Sequence, residues 1–248
     1  MKTQVDEVKY TEAEFLASVL SRYCDDAQSF EIGNAMPIPA SAALMVYKRN
    51  EKRPRLSILG SVKHNLLFTG GILEQYDLGC KGMIDVQFYG GGQIDGQGNI
   101  NLVGIGDYPR SDVRFAGSFG TSLLYYVGLR TILFVTEHSK RVLVPKVDFI
   151  SAAGVLPEYA HRLGGPIALV TSKCVMTFCQ KEAKFTLKEV HPGFTVDDIK
   201  ENTGFDFECP STVPTTGEPT DAELELLRTY VKNEVAEVYP VFAKNQIL

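Results

Sequence analysis

The residues with the clearest potential for chemistry lie in a segment rich in glycine, asparagine and aspartate, between Gly90 and Gly120. Its last part, Gly117-Ser118-Phe119-Gly120, runs into an apolar stretch that predicts a helix over 121–127. A glycine-rich loop at the start of a helix leaves backbone N–H groups without helical partners. Such groups can bind an oxygen on which negative charge develops, as in acyl transfer. The alternative interpretation is a helix entry that only needs flexible backbone angles.

Further polar candidates occur before and after this loop. The run Asp95-Gly-Gln-Gly-Asn99-Ile-Asn101 is a turn former, because Asp-Gly and Gly-Asn both favour turns. His138 and Arg141 follow the apolar strand expected at 131–135. A charged strand end of this kind can also be a structural ion-pair anchor, so both interpretations stay open.

Several classes of site and partner are not indicated. The sequence has no P-loop, HExxH, GxSxG or post-strand GxGxxG motif, and its four histidines lack ligand spacing. Five cysteines at irregular spacings contain no CxxC pair, so we expect reduced thiols and no metal site. A net charge of −5 with only short basic clusters argues against a nucleic-acid surface.

Signals for secretion or for membrane insertion are likewise not indicated. The first twelve residues are polar and carry no apolar run typical of a secretion signal. No apolar stretch approaches the roughly 18 residues of a membrane span, so we expect no membrane partner. The cytoplasm is the expected location.

Short apolar strands alternate with helical stretches along the chain. The capping box Thr11-x-x-Glu14 predicts a helix over about 12–23, and a second helix is expected at 40–48. Strands are expected at 30–33, 56–60, 85–89, 131–135, 142–144 and 147–150, then an antiparallel meander over 167–190, before two short capped helices. We therefore predict one domain over 1–248 of the α/β class, with an open mixed or parallel sheet flanked by helices.

Taken together, these segments resemble the β subunits of the class I coenzyme A transferase family, of the glutaconate CoA-transferase type. The resemblance runs from about Phe30 to Arg228 and rests on motifs in one order. They are Gly33-Asn34-Ala-Met-Pro37, GGGQIDGQGNIN, GIGDYPRSDVRFAGSFG, His138-Ser-Lys-Arg141, His191-Pro-Gly193, Glu201-Asn-Thr-Gly204-Phe, and Pro219-Thr-Asp with Leu226-Leu-Arg228. Several motifs in a fixed order are far more specific than any one loop.

The resemblance implies a CoA-transferase-like fold and pairing with a homologous α subunit, as a heterodimer or heterotetramer, with the active site between the two chains. The substrate would be an acyl-CoA, with coenzyme A as part of the substrate and no separate cofactor. In the family, the asparagine turn and the Gly-Ser-x-Gly loop lie against the thioester. That comparison gives five oxyanion or CoA-binding candidates: Asn99, Asn101, Gly117, Ser118 and Gly120. Weaker candidates are Asn34, His138 and Arg141.

One departure from the family pattern concerns a reactive glutamate. The family's true transferases carry it after the strand that corresponds to 56–59, and CoA becomes linked to it as a thioester. The matching position here is near Ile58, and a shift of two residues either way gives Leu56 or Gly60. Isoleucine cannot form a covalent intermediate, and an isolated serine, Ser57 or Ser61, would be a poor nucleophile without a base.

A branch of the family that lacks this glutamate contains steroid ring-cleaving hydrolases, which hydrolyse a carbon–carbon bond of a CoA-linked cyclic β-keto compound. A decarboxylating relative uses a cysteine at this position, and this chain has none there. We therefore expect the β subunit of a heteromeric acyl-CoA hydrolase or lyase of the ring-cleaving type, with no certain catalytic residue on this chain. The first alternative is a true CoA-transferase that moves CoA between carboxylic acids. The second is a non-catalytic subunit that completes the α subunit.

Overall fold

The structure is a computed structural model that describes residues 9–65, 72–157 and 160–248. Its centre is a seven-stranded sheet in the order β11-β10-β9-β8-β3-β1-β2. These strands are β1 (Ser29–Ile32), β2 (Arg55–Ile58), β3 (Val86–Tyr89), β8 (Arg130–Phe134), β9 (Gly165–Val170), β10 (Cys174–Cys179) and β11 (Lys184–Val190). Neighbouring strands from β9 to β2 are parallel, and β10 and β11 add an antiparallel edge. The expected α/β class is confirmed.

Helices cover this sheet and close the chain. They are α1 (Glu12–Tyr23), α2 (Pro37–Arg49), α3 (Ile72–Cys80), α4 (Thr121–Val127), α5 (Val196–Asn202), α6 (Asp221–Leu226), α7 (Lys232–Val235) and α8 (Pro240–Gln246), with a π-helical turn at Leu227–Val231. Capping boxes at Thr11, Thr195 and Thr220 begin α1, α5 and α6. The second helix begins at Pro37, earlier than the expected residue 40, because the first helical turn needs no proline N–H.

The glycine-rich segment forms two small antiparallel pairs beside the main sheet. They are β4 (Gln93–Ile94) with β5 (Ile100–Asn101), and β6 (Gly104–Ile105) with β7 (Val113–Arg114). The strands expected at 142–144 and 147–150 are not formed. A single bridge joins Leu143 to Ile94 instead, and Pro145 cannot donate a hydrogen bond that would continue the pairing.

The two faces of the main sheet differ in character near β1 and β2. Side chains alternate along a strand, so Phe30, Ile32 and Ile58 share one face, where they pack against α1 and α2 in a buried apolar core. Phe30 stacks on Phe88 of β3 with ring centroids 6.5 Å apart. The opposite face carries Glu31, Ser57, Gln87, Tyr89 and Thr131. This face therefore brings polar groups beneath α3 and α4.

Two sequence expectations concern other parts of the chain. In the described residues, no helix has both the length and the apolar character needed to cross a membrane. The polar amino-terminal stretch, up to residue 8, lies outside the described residues.

Candidate functional site

A cleft of about 640 Å³ lies at the carboxyl ends of β1, β3 and β8. The loops that follow these strands form part of its lining, and they include Ala35, Gly90 to Gly92, and Val135 to Glu137. In open α/β sheets, ligands bind at this edge of the parallel strands. The remaining walls are mostly apolar and come from the start of α2 and from Ile105, Val113 and Phe115. Most of the cleft therefore suits an alkyl chain.

Arg141 is the cation that lines this cleft, and it is paired with Glu137 four residues earlier. Its side chain is 74% exposed and also donates from Nε to Glu137 Oε1 at 3.0 Å. The carboxylate raises the pKa of the Arg141 guanidinium. Asn34 is exposed next to Ala35, which lines the cleft with a left-handed φ of 56°. The structure thus brings two of the three weaker sequence candidates to the cleft or its border.

The loop Gly117–Gly120 enters α4 as expected, and its backbone is unusual. Gly117 has a φ of +101° and Phe119 a φ of +41°. Such a positive φ is energetically unfavourable for a residue that carries a side chain, as Phe119 does. The N–H of Gly117 donates to Leu102 O at 3.0 Å, so this group is already used. Within the described residues, the N–H groups of Ser118, Phe119 and Gly120 have no acceptor. They are the groups of this loop with which an oxyanion could bond.

The position of this loop depends on α3. A side chain at Gly120 would begin where the Tyr76 hydroxyl lies, so glycine is required by close approach. Phe119, by contrast, projects outward and is 88% exposed. The exposed apolar side chains Leu73 of α3 and Leu123 of α4 belong to the same pair of packed helices. This surface, Leu73 with Phe119 and Leu123, is called the α3–α4 apolar surface below.

Asn99 and Asn101 are buried within the glycine-rich segment. The Asn99 amide donates to Asp95 Oδ2 at 3.0 Å and accepts from the N–H of Gly154 at 3.0 Å. Asn101 donates to Gln93 Oε1 at 2.8 Å and Gly104 O at 2.7 Å, and accepts from two backbone N–H groups. Both amides use their polar atoms within the chain, so the structure gives them the role of fixing turns. A direct contact with a thioester stays a prediction.

His138 lies in the interior, away from the cleft. Thr203 donates its hydroxyl proton to Ile199 O at 2.8 Å, so His138 Nε2 donates to Thr203 Oγ1 at 3.1 Å. Nδ1 is then the acceptor for the Thr171 hydroxyl at 2.8 Å. Burial lowers the pKa of His138 to about 4, which keeps the ring neutral. Its surroundings are those of a satisfied core histidine.

The structure also places the position where the family glutamate was expected. Ile58 is 2% exposed and packs in the apolar core against α2. Ser61 donates to Glu237 Oε2 at 2.6 Å, in a turn that joins it to the last helices. Neither residue offers a reactive group at the cleft.

Sequence analysis missed Glu31, which lies at 7% exposure on the polar face of β1. Its carboxylate accepts hydrogen bonds from Gln75 Nε2 of α3 and, at 3.5 Å, from the Ser57 hydroxyl. Burial raises the pKa of Glu31 to about 8. The sequence did contain a signal for this site: a glutamate stands between Phe30 and Ile32 in a strand expected to be buried. Because unpaired carboxylates are rarely buried, such a residue indicates a special role.

A groove of about 190 Å³ opens between β1, β2 and α3, beside Glu31. Its lining includes Ser57 of β2, Leu78 of α3, and Met83 and Ile84 before β3. Within residues 9–65, 72–157 and 160–248, no group of three or more histidine, cysteine, aspartate or glutamate side chains could hold a metal ion.

Comparison with known proteins matches residues 29–202 to the family "Coenzyme A transferase". The B subunit of the 3-oxoadipate CoA-transferase of Pseudomonas knackmussii is 36% identical over 166 residues, which cover 64% of this chain and 63% of the relative, less than two thirds of its length. The B subunit of the glutaconate CoA-transferase of Acidaminococcus fermentans is 29% identical over 90% of this chain and 93% of its own. The IpdB subunit of the cholesterol ring-cleaving hydrolase of Rhodococcus jostii is 32% identical, over 56% of each chain.

Solved structures give the same result for the fold. Glutaconate coenzyme A-transferase from Acidaminococcus fermentans superposes with a TM-score of 0.72 at 26% identity, covering 90% of this chain and 95% of that one. Rhodococcus jostii IpdAB superposes with a TM-score of 0.75 at 22% identity, covering 92% and 99%. The family match spans more than half of the sequence, which confirms both the family and the expectation of an enzyme subunit. The chain belongs to the coenzyme A transferase family, as a β-type subunit.

Proposed function

We propose that this chain is the β subunit of a CoA-transferase that moves CoA between two carboxylic acids. The observation that carries the proposal is the similarity to a β-type chain of a glutaconate CoA-transferase over 90% of the sequence. The similarity to the ring-cleaving hydrolase subunit covers 56% of the chain, so it supports the hydrolase expectation less well. The apolar cleft at the strand ends and the N–H groups of the Ser118–Gly120 loop fit a thioester substrate.

The role of each group follows from where it lies. The cleft would hold the acyl chain between the start of α2 and the side chains of Val113 and Phe115. Arg141, which lines the cleft, would pair with a second carboxylate on the acyl group in place of its present partner, Glu137. The loop N–H groups would bind the thioester oxygen as it gains negative charge.

A homologous α subunit would complete the site by covering the α3–α4 apolar surface. Phe119 at 88% exposure and Leu73 at 69% are large apolar side chains for an isolated soluble chain to leave open. Phe119 belongs to the loop that carries the candidate N–H donors, and Leu73 lies on the helix that packs against α4. The partner would therefore exclude water from the loop at the same time as it buries these side chains.

Hydrolysis of an acyl-CoA, including the carbon–carbon bond cleavage of a CoA-linked cyclic β-keto compound, is the second candidate function. Ile58 favours it, because a side chain without a carboxylate cannot hold CoA at the position used by transferases of the family. Water would then attack, and a base on the α subunit would take its proton.

The test uses the complex purified after co-expression with its α chain. Succinyl-CoA, glutaryl-CoA and adipyl-CoA are each supplied with and without acetate, and acetyl-CoA and free CoA are separated by chromatography. Transfer predicts acetyl-CoA formation that depends on acetate. Release of free CoA at a rate independent of acetate would replace the proposal with hydrolysis of the thioester. An α chain that is equally active alone would make this chain a non-catalytic partner.

A further inference from the structure

We propose that Glu31 is the carboxylate on which this chain receives CoA, in place of the carboxylate absent from residue 58. The inference rests on the proposed transfer function and assigns a residue to it. The buried carboxyl group of Glu31 lies on β1, the strand next to β2, where residue 58 lacks a carboxylate.

The register of the two strands brings these positions together. β1 and β2 are parallel, with Glu31 paired to Ser57 and Ile32 paired to Ile58. Glu31 is therefore one residue before the direct neighbour of Ile58. Because side chains alternate, Ile58 points into the apolar core and Glu31 points to the polar face, beneath α3. A carboxylate at Ile58 would have to replace a side chain that is packed in the core, whereas Glu31 needs no such change.

Access to Glu31 comes from the groove between β1, β2 and α3. The walls supplied by Leu78, Met83 and Ile84 are apolar and suit the alkyl groups of the CoA moiety. The same helix joins the carboxylate to the glycine loop, because Gln75 donates to Glu31 and the adjacent Tyr76 packs against Gly120. Gln75 and Tyr76, adjacent on α3, thus approach the candidate nucleophile and the loop of candidate oxyanion donors respectively.

The environment of Glu31 also fits a nucleophile. Gln75 and Ser57 orient the carboxyl group by hydrogen bonds, which limits the rotamers it can adopt. Removal from water raises its pKa to about 8, so that the ionised form is more basic and less solvated than a surface carboxylate. The ionised fraction rises as pH increases toward 8, and a step that uses it must accelerate over the same range.

The transfer then balances without an oxidant, a reductant or a net proton. A carboxylate oxygen of Glu31 attacks the thioester carbonyl carbon, the carbon–sulfur bond breaks, and CoA leaves as its thiolate. The thiolate attacks the Glu31 carbonyl carbon of the resulting anhydride, which releases the donor acid as a carboxylate and leaves a Glu31–CoA thioester. The acceptor carboxylate reverses these two steps and restores Glu31.

The experiment traps the thioester on the enzyme. The co-purified complex is mixed with succinyl-CoA and then with hydroxylamine, which converts a glutamyl thioester to a hydroxamate, and peptides are analysed by mass spectrometry. We expect the label on Glu31 and nowhere else in this chain. E31Q should lose label and acetyl-CoA formation by at least about 1,000-fold, because an amide cannot act as this nucleophile.

The matched control is E182Q, since Glu182 is exposed in the turn between β10 and β11 and lies outside the groove. It should keep both label and transfer. E31Q retains an acceptor for Gln75, and its assembly with the α chain, checked by sizing chromatography and circular dichroism, separates chemistry from folding. E31D, with a shorter side chain, should reduce transfer but retain label at Glu31's position. As a further check, transfer by the wild type should rise from pH 6 through pH 8 and level off above about pH 9.

The outcomes separate this inference from the proposed function. Acetate-dependent transfer with an unlabelled Glu31, or with an active E31Q, overturns the inference and leaves the function in place. A labelled Glu31 with release of free CoA independent of acetate supports the inference and overturns the transfer function. Substrate consumption independent of acetate with no label on this chain contradicts both.

Discussion

The Tyr76 hydroxyl of α3 lies where a β-carbon on residue 120 would have to be. The contact fixes the end of the Gly117–Gly120 loop against a helix that packs on α4. The space for the loop is therefore set by a residue more than forty positions earlier in the chain. This relationship makes the loop testable without changing any group that would touch substrate.

Gly120→Ala should displace either Tyr76 or the loop and lower turnover of acyl-CoA by the complex. The expected loss is about 100-fold, the range for one misplaced oxyanion donor. Tyr76→Phe removes the hydroxyl and should have little effect alone. In the double variant it should restore part of the turnover, because the hydroxyl makes the closest contact with the added β-carbon, whereas the ring carbon Cζ would still lie 2.9 Å from it. Steady-state rates of the four proteins give the answer, and an additive double variant would contradict a shared contact.

Arg141→Met should weaken the binding of acyl-CoA substrates that carry a second carboxylate. A lost charge-assisted hydrogen bond predicts a KM about 10-fold higher for glutaryl-CoA and little change for butyryl-CoA. Lys140→Met is the matched control, since Lys140 is exposed but does not line the cleft. Equal effects of Arg141→Met on both thioesters would remove Arg141 from substrate recognition.

Phe119→Asp should weaken assembly with the α chain, because it places a charge at the most exposed side chain of the α3–α4 apolar surface. An aromatic side chain buried at the centre of an interface is commonly worth about 2 kcal/mol or more, so the Kd should rise by about 30-fold. Val241→Asp changes an exposed apolar side chain on α8, outside the α3–α4 apolar surface, and serves as the control. Analytical ultracentrifugation measures both, and unchanged association of the Phe119 variant would place the partner elsewhere.

Acid should destabilise the chain through its two buried histidines. Burial lowers the pKa of His138 and of His191 to about 4. Because both values lie below the ordinary value for histidine, the unfolded chain binds protons first as pH falls from about 6.5 to 4. The free energy of unfolding should therefore decrease over that range. His138→Gln should show a smaller decrease in urea titrations at pH 7, 5.5 and 4.5, and an unaltered pH dependence would speak against the assignment.

Glu31 should change the pH dependence of the free energy of unfolding in the opposite direction. Its pKa in the folded chain, about 8, lies above that of an unfolded glutamate, so the stabilising contribution of the protonated form is lost as pH rises from about 4.5 to 8. E31Q should match the wild type in thermal stability near pH 4 and exceed it at pH 9. The expected difference is on the order of a few kcal/mol. A wild type that is the more stable of the two at pH 9 would show that the ionised carboxylate is well solvated or paired.

Local patterns predicted the elements of this fold well. The capping boxes at Thr11 and Thr195 and the apolar strand at 130–134 follow from residues close in sequence, which is why spacing alone identified them. The glycine-rich loop before α4 was recognised for the same reason. The strands expected at 142–144 and 147–150 were wrong. Their residues are largely apolar and β-branched, which favours strands, but the neighbouring segment pairs with them only through a single bridge at Leu143.

The candidate site was less accessible to sequence. The contact of Tyr76 with Gly120 and the hydrogen bond of Gln75 to Glu31 join segments that are far apart in the chain. Neither has a local signature. Asn101 was expected beside the thioester, yet its amide is used up within its own turn. Only the packed structure shows which polar atoms already have partners.

The difference between the two faces of β1 and β2 separates folding from reactivity. The apolar face, with Phe30, Ile32 and Ile58, fixes the strands in place, and any change there opens a cavity or buries a charge. The other face, with Glu31 and Ser57, already accommodates polar atoms beside a groove. Substitutions there can therefore accumulate at little cost to folding. A sheet of this kind lets the reactive acid lie on either of two neighbouring strands, so that a lineage can keep its reaction and its architecture while the acid changes place.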